Sequence, residues 1–209
     1  MVIGVSGKAR SGKNVFAEFL AEELHKRTGE AYVMMAYADV LKNMVQKEFD
    51  LSWDQLWGEA KEAEDKRYRR YQRYGPVAVH LEKDGLPSPY WTGREIMQSF
   101  GGFYRSIDPN FWTKKLFSII EDKEYKNVIV TDVRYPNEVD PIVERDGYHV
   151  RVNRPTADKV HGTTHSSEVS LDAPYKVDFT IMNTGTLDDL KKLACDIVSG
   201  IIQLEKFRR

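Results

Sequence analysis

Cysteine is almost absent from the chain: Cys195 is the single one among 209 residues, so no intramolecular disulfide can form. It falls among the apolar residues of a late helical stretch and reads as a small core residue. Neither sign of charge prevails, with 31 Lys and Arg against 32 Asp and Glu. Bulk electrostatics therefore demand neither nucleic acid nor a membrane surface as a partner. No apolar run is long enough to span a bilayer, and the first residues already read as a core strand, leaving no room for a signal peptide. A cytoplasmic protein is expected. Internal repeats and low-complexity tracts are lacking too. The length suits one α/β domain with an inserted subdomain, whereas two full domains would be cramped.

What is present is concentrated first at the N-terminus. Val2, Ile3 and Val5 form a β-rich run, and Gly7, Gly12 and Lys13 fit G-x-x-x-x-G-K, the spacing that curls backbone N–H groups around phosphate oxygens. Val15, Phe16, Phe19, Leu20 and Leu24 follow at helical intervals. The loop thus opens a helix whose N-terminal dipole also favours an anion. Lys13, read as a flexible cation on a surface loop, would neutralise charge on the β- and γ-phosphates. Asn14 stands where Ser or Thr would offer a hydroxyl to Mg²⁺; its amide oxygen can ligate the metal or a bound water less compactly.

Further along, Thr28-Gly29-Glu30 is a helix stop, and Ala31 to Tyr37 reads as a second parallel strand. Ligands of open α/β sheets sit beyond the carboxyl ends of strands, which puts Asp39 and Lys42 on the rim of the phosphate loop. The alternative is that Asp39 only caps the helix carrying Leu41, Met44 and Val45. From Asp50 to Arg73 the composition turns charged, aromatic and helix-favouring. Its basic run, Lys66 to Arg73, reads as a solvated helix face in preference to a nucleic-acid contact. Val77, Val79 and Leu81 alternate ahead of Asp84-Gly85, predicting a small hairpin or loop.

Ile96, Met97 and Phe100 mark another helix, bracketed by Arg94 and Arg105, and Asp108-Pro109 announces the next, with Trp112, Leu116, Ile119 and Ile120 on its apolar face. Two arginines beside a helix pair can clamp an acceptor phosphate bidentately, or can pair with Glu95 and Asp108. Val128 to Val130 is a fully apolar strand ending in Asp132 and Arg134, an acid that can hold Mg²⁺ or its waters and a guanidinium that can reach a phosphate. Tyr148 to Val152 is a fourth strand. A short polar stretch follows it, where a lid would close with Arg151 and Arg154 around the transferring group. His161 and His165 match no zinc pattern. Asp178 to Met182 is the last strand, and Leu187 to Leu204 an amphipathic closing helix.

These stretches together resemble the phage-type deoxynucleoside monophosphate kinases, a branch of the P-loop kinases similar to phosphomevalonate and dephospho-coenzyme A kinases. The resemblance rests on Gly7 to Asn14; Ala38-Asp39 with Lys42; Gly93-Arg-Glu95 with Gln98, Gly101, Arg105, Asp108-Pro109 and Trp112; Asp132 to Glu138; His165-Ser-Ser-Glu168; and Asn183-x-Gly-Thr186. It implies a three-layer α/β P-loop kinase domain over residues 1–209. That domain would hold a five-stranded parallel sheet in the order 2-3-1-4-5, a helical acceptor-binding insertion over 39–123 and a short lid over 151–168.

The resemblance also implies ATP as donor, Mg²⁺ as cofactor and a deoxynucleoside monophosphate as acceptor. Gly7, Ala9, Ser11, Gly12, Lys13, Asn14 and Val15 would hold the donor, with Asn183 and Gly185 against adenine and Asn14 and Asp132 toward the metal. Lys13, Asp132, Arg134, Arg105, Arg151 and Arg154 would serve the transfer. Asp39, Lys42, Arg94, Arg105, Trp112, Arg134 and Glu168 would bind the acceptor, and aromatic residues near Trp112 or Tyr90-Trp91 would line its base pocket. Nucleotides are the expected partners, with neither nucleic acid nor membrane, and a homodimer stays open. Two departures stand out: Asn14 is not the usual hydroxyl or acid, and Glu82 to Pro89 is an insert without a counterpart. A kinase of another phosphorylated small molecule, or an ATP-holding regulatory module, are the alternatives. The number of candidate arginines argues against the module, which needs no acceptor clamp.

Overall fold

The computed structural model of the chain describes residues 1–70, 89–155 and 175–208. In chain order its elements are β1 (Val2–Ser6), α1 (Lys13–Thr28), β2 (Val33–Met35), α2 (Tyr37–Phe49), α3 (Trp53–Leu56), a 3₁₀ turn (Glu59–Glu62), β3 (Glu64–Arg69) and β4 (Tyr90–Thr92). The chain continues through α4 (Gly93–Ile107), α5 (Phe111–Asp122), β5 (Val128–Val133), α6 (Pro136–Val143), β6 (Tyr148–Asn153), β7 (Phe179–Met182) and α7 (Leu187–Arg208).

Five strands form one parallel sheet in the spatial order β2, β5, β1, β6, β7. Counted among those five alone, this is the order 2-3-1-4-5 that the resemblance implies. β1 is buried at every residue and β5 at all but Asp132, as strands of a parallel sheet covered on both faces must be. Phe16, Leu20 and Leu24 of α1 join Leu190, Ala194, Val198 and Ile201 of α7 in one core with Ile3, Val5, Val150 and Val152 of the sheet. α1 stops at Gly29, whose N–H returns to the His25 carbonyl, so the stop signal is real. No helix among the described residues is long and apolar enough to cross a membrane.

The second strand is shorter than the run Ala31 to Tyr37. Both oxygens of Asp132 accept backbone N–H groups at the start of α2, Tyr37 N at 2.8 Å and Ala38 N at 2.9 Å. This carboxylate cap turns the chain into a helix at Tyr37. Asp39 consequently lies inside the first turn of α2 and is neither a strand-end residue nor the cap.

The chain divides into two compact units, Met1–Ala38 with Asn110–Arg209, and Asp39–Pro109. The expected insertion over 39–123 and this second unit begin at the same residue, while α5 belongs with the sheet. The second unit has its own core of Val45, Leu51, Leu56 and Ile96, against which Leu41, Phe49, Trp57, Tyr68, Trp91 and Phe100 pack.

One element there differs in kind from the sequence reading. Residues 64–69 form an antiparallel strand against Tyr90–Thr92 and not a helix. Charge conceals the inward positions: Asp65 is buried and Tyr68, beyond a slip in the ladder, half-buried, with Tyr68 edge-on to Phe49. The buried Asp65 carboxylate accepts from Gln55 Nε2 at 2.9 Å and from the Arg67 guanidinium at 2.7 Å. The Arg67 bond leads in holding that carboxyl well below the usual range. The hairpin expected around Val77 to Leu81 lies outside the described residues.

Candidate active site

β1 runs directly into the loop Gly7–Gly12, and α1 begins at Lys13. Two glycines are required here. Gly7 has φ +154°, and a Cβ on it would stand 2.5 Å from the Val152 carbonyl oxygen and 2.7 Å from Ser11 Oγ; Gly12 has φ +88°, and its Cβ would meet Asn183 Nδ2 at 2.5 Å. Side chains at either position would fill the cradle or strain the backbone. Arg10 also takes a left-handed conformation, at φ +61°, and the Ser11 N–H turns back to the Lys8 carbonyl at 3.2 Å. No side chain caps α1, and no acid stands in its first turn. Its first N–H groups and its dipole thus suit an anion. Ser11 Oγ is the one buried side-chain polar atom among the described residues without a hydrogen-bond partner in the protein.

Lys13 is not the surface cation that its loop position suggests. It is only 9% exposed, and its Nζ lies 3.4 Å from the Lys8 carbonyl oxygen across the loop. Val15 packs against the core, so only its backbone can serve a ligand. Ala9 is half-buried in the loop, and Asn14 is exposed on the first turn of α1.

Asn183, which the resemblance puts beside adenine, lies against the phosphate loop. It is 5% exposed, and its amide donates to the Ser11 carbonyl at 2.8 Å. Its backbone N–H donates to the Asn153 carbonyl at 2.7 Å, which ties the exit of β7 to β6. Gly185 follows in the turn before α7, which Thr186 and Asp189 close with reciprocal bonds. The bracing contact escapes sequence reading because Ser11 lies 172 residues away in the chain.

Beside the loop is a cavity of about 350 Å³ lined by Lys8, Arg151, Asn153, Arg154 and Met182 among others. The structure thus brings two of the predicted arginines together with a phosphate-loop lysine. Arg151 Nε donates to Asn153 Oδ1 at 3.0 Å, which orients the half-buried guanidinium.

On the other side of β1, Asp132 lies near the end of β5, and Arg134 follows it on the way into α6. Glu138, 4% exposed, accepts the Arg134 N–H at 2.7 Å and the Tyr135 N–H at 3.2 Å. Its buried carboxylate shapes the turn that carries Arg134, a role the Asp132 to Glu138 segment does not announce by itself. Trp112 is 3% exposed within α5, and its apolar surface serves the interior.

In the second unit Asp39 Oδ1 accepts from Trp57 Nε1 at 2.9 Å, and Lys42 lies 3.8 Å from the same oxygen and 5.3 Å from the Trp57 ring centroid. Arg94 pairs with Glu62, not with Glu95. Glu95 instead accepts from Arg70 and from the Thr92 N–H, closing the capping box of α4. Arg105 lies exposed in the last turn of α4. Trp91 packs on the core of this unit under the Arg70 guanidinium, 4.3 Å from its ring centroid. Glu168, His161, His165 and most of the expected lid lie outside the described residues. Among the described residues no group of three His, Cys, Asp or Glu could hold a metal.

The family model for deoxynucleotide monophosphate kinase matches residues 30–193. A protein of Acanthamoeba polyphaga mimivirus that carries the provisional name deoxynucleotide monophosphate kinase is 27% identical over 211 residues, covering 98% of this chain and 99% of its own. Among solved structures, a dephospho-CoA kinase from Campylobacter jejuni aligns over 96% of both chains with 10% identity and a TM-score of 0.47. A shikimate kinase from Aquifex aeolicus aligns over 97% of this chain and 99% of its own with 15% identity and a TM-score of 0.46.

Proposed function

The chain belongs to the deoxynucleotide monophosphate kinase family, and on that footing we propose that it transfers the γ-phosphoryl group of ATP to a deoxynucleoside 5′-monophosphate. The products are the deoxynucleoside diphosphate and ADP, for DNA precursor supply. Family membership makes it a phosphotransferase; the donor and the acceptor are the proposal. The observation that carries it is the phosphate loop, with its cradle at Gly7 and Gly12, which lies outside the residues matched by the family and supports the reading independently.

Both reactants are anions, so the site must position them in line and screen their charge; the ionised acceptor phosphate needs no strong general base. Lys13 crosses the loop where the donor phosphates would lie. Arg151 and Arg154, beside the loop, and Arg134, on its shaped turn, are the guanidinium groups suited to fork onto phosphoryl oxygens. Asp39, Lys42, Arg94 and Arg105 are the acceptor-binding candidates of the second unit.

Mg²⁺ bound with the triphosphate would screen the β- and γ-oxygens. This chain's donor set fits a metal held by few protein atoms: the exposed Asn14 amide, and Asp132 through a metal-bound water, since each carboxylate oxygen already accepts one N–H and keeps a second lone pair. Coupled detection of ADP over a panel of deoxy- and ribonucleoside monophosphates tests the reading. ADP formation that depends on a deoxynucleoside monophosphate is expected. Turnover only with a phosphorylated acceptor that is not a nucleotide would refute it.

A further inference from the structure

The sheet contains a fully buried histidine that none of the proposed chemistry uses. His149 sits in β6 opposite Gly4 of β1 and is 0% exposed. Its Nδ1 lies 3.1 Å from the Tyr175 carbonyl oxygen and 3.2 Å from that of Lys176. Both are acceptors, so Nδ1 carries the proton. The opposite nitrogen, Nε2, is then an acceptor, and Ser6 Oγ stands 2.7 Å from it. The backbone of His149 is held as well: its N–H donates to Asp178 Oδ2 at 2.8 Å, and its carbonyl accepts from Asp178 N at 3.0 Å.

Ser6 is the last residue of β1 and is 1% exposed. It lies where the ladder to β5 slips, with Gly4 opposite Val130 but Ser6 opposite Val133. On the β5 side the sheet therefore holds this end of the strand less regularly than the rest, while on the other side Ser6 keeps its register opposite Arg151 of β6. The next residue, Gly7, enters the loop with no room for a Cβ beside the Val152 carbonyl.

We propose that His149, as the neutral imidazole protonated at Nδ1, is a positioning residue for the phosphate loop: its Nε2 accepts the Ser6 hydroxyl and fixes the direction in which β1 enters Gly7. It touches no reactant. The inference rests on the reading of Gly7–Asn14 as the donor phosphate site. The charged groups that act on the ring are the Asp178 carboxylate, which accepts the His149 N–H, and the Arg151 guanidinium.

His149→Gln keeps an acceptor at the position of Nε2, whereas His149→Asn keeps only a donor at that of Nδ1; Ser6→Ala removes the hydroxyl. The readouts are hydrogen exchange of the 7–14 amides in unliganded protein, ATP affinity by calorimetry, and the thermal midpoint. One hydrogen bond between neutral groups corresponds to about a three- to tenfold change in local opening. Exchange of the loop should accelerate by about that factor in Ser6→Ala and in His149→Asn, no further in the double variant, and little in His149→Gln, with ATP affinity falling in parallel.

Unchanged loop exchange in Ser6→Ala overturns the inference, whether or not His149→Asn folds. So do Gln and Asn variants whose exchange merely tracks their thermal midpoints. The exchange is read without nucleotide, so a wild-type chain that binds no ATP defeats the proposed function and leaves this result to stand or fall separately.

Discussion

The side-chain amide of Asn183 donates to the Ser11 carbonyl at 2.8 Å, and its nitrogen lies 2.5 Å from where a Cβ on Gly12 would be. One residue after the last sheet strand thus supports the phosphate loop from below. Asn183→Asp places a carboxylate against a carbonyl, next to the proposed donor phosphate site. Loss of ATP affinity by at least about tenfold is expected by calorimetry, together with destabilisation of about 1–3 kcal/mol for the unpaired buried carbonyl. Unchanged affinity would show that the brace has no bearing on the donor.

Gly12→Ala strikes the same contact from the other side. The left-handed backbone and the Asn183 amide both oppose the new methyl group. Nucleotide binding should fall sharply. Asn183→Ala in the same chain relieves the clash but not the backbone strain, so it should restore binding only in part. Full recovery in the double variant would mean that the backbone strain is unimportant.

For Lys13, burial changes the choice of variant. The side chain is packed as well as charged, so Lys13→Ala removes both packing and charge, while Lys13→Met keeps the stem. Lys13→Met should lower turnover by at least about 100-fold and shift the thermal midpoint by less than about 4 °C. Retained turnover in the Met variant would remove the lysine from the transfer step.

Local pattern made some of this legible and concealed the rest. The β1, loop and α1 sequence could be read because an apolar run, two spaced glycines and a helical stripe are all determined within about thirty residues. The true end of β2 could not, since the carboxylate that starts α2 lies 95 residues further along the chain. Residues 64–69 read as helix because their one buried side chain is an aspartate paired with Arg67, and no apolar alternation shows the strand. Asn183 and His149 look like an ordinary loop amide and a strand histidine; only folding brings Ser11 and Ser6 to them. For Trp112 the helical stripe alone could not show how far the side chain is buried, and packing leaves it 3% exposed.

His149 also predicts a pH dependence of stability. Burial pushes its imidazole below the ordinary value of 6.5; the Tyr175 and Lys176 carbonyls and Asp178 act in the opposite sense, and Arg151 adds to the lowering. The unfolded chain takes up a proton here near pH 6.5 while the folded chain keeps the ring neutral. Stability from this residue is therefore full above that pH and is lost as pH falls below it. Urea midpoints between about pH 5.5 and 7.5 should fall more steeply with acid in wild type than in His149→Gln. Parallel curves would place the titration elsewhere.

Asp132 offers the sharpest choice between two roles. If its carboxylate serves α2 through Tyr37 N and Ala38 N, Asp132→Asn leaves one acceptor and turns an N–H donor toward the other backbone N–H. Destabilisation of about 0.5–2 kcal/mol should follow, with turnover reduced because the rim beside Arg134 is less well held. The magnesium concentration needed for half-maximal turnover should stay within about twofold of wild type, since a contact through a water is less demanding than direct ligation. Urea unfolding and a magnesium titration of turnover separate the two roles in one pair of experiments. A tenfold rise in the magnesium requirement at unchanged stability would make Asp132 a direct metal ligand, and the cap on α2 would then be incidental to its function.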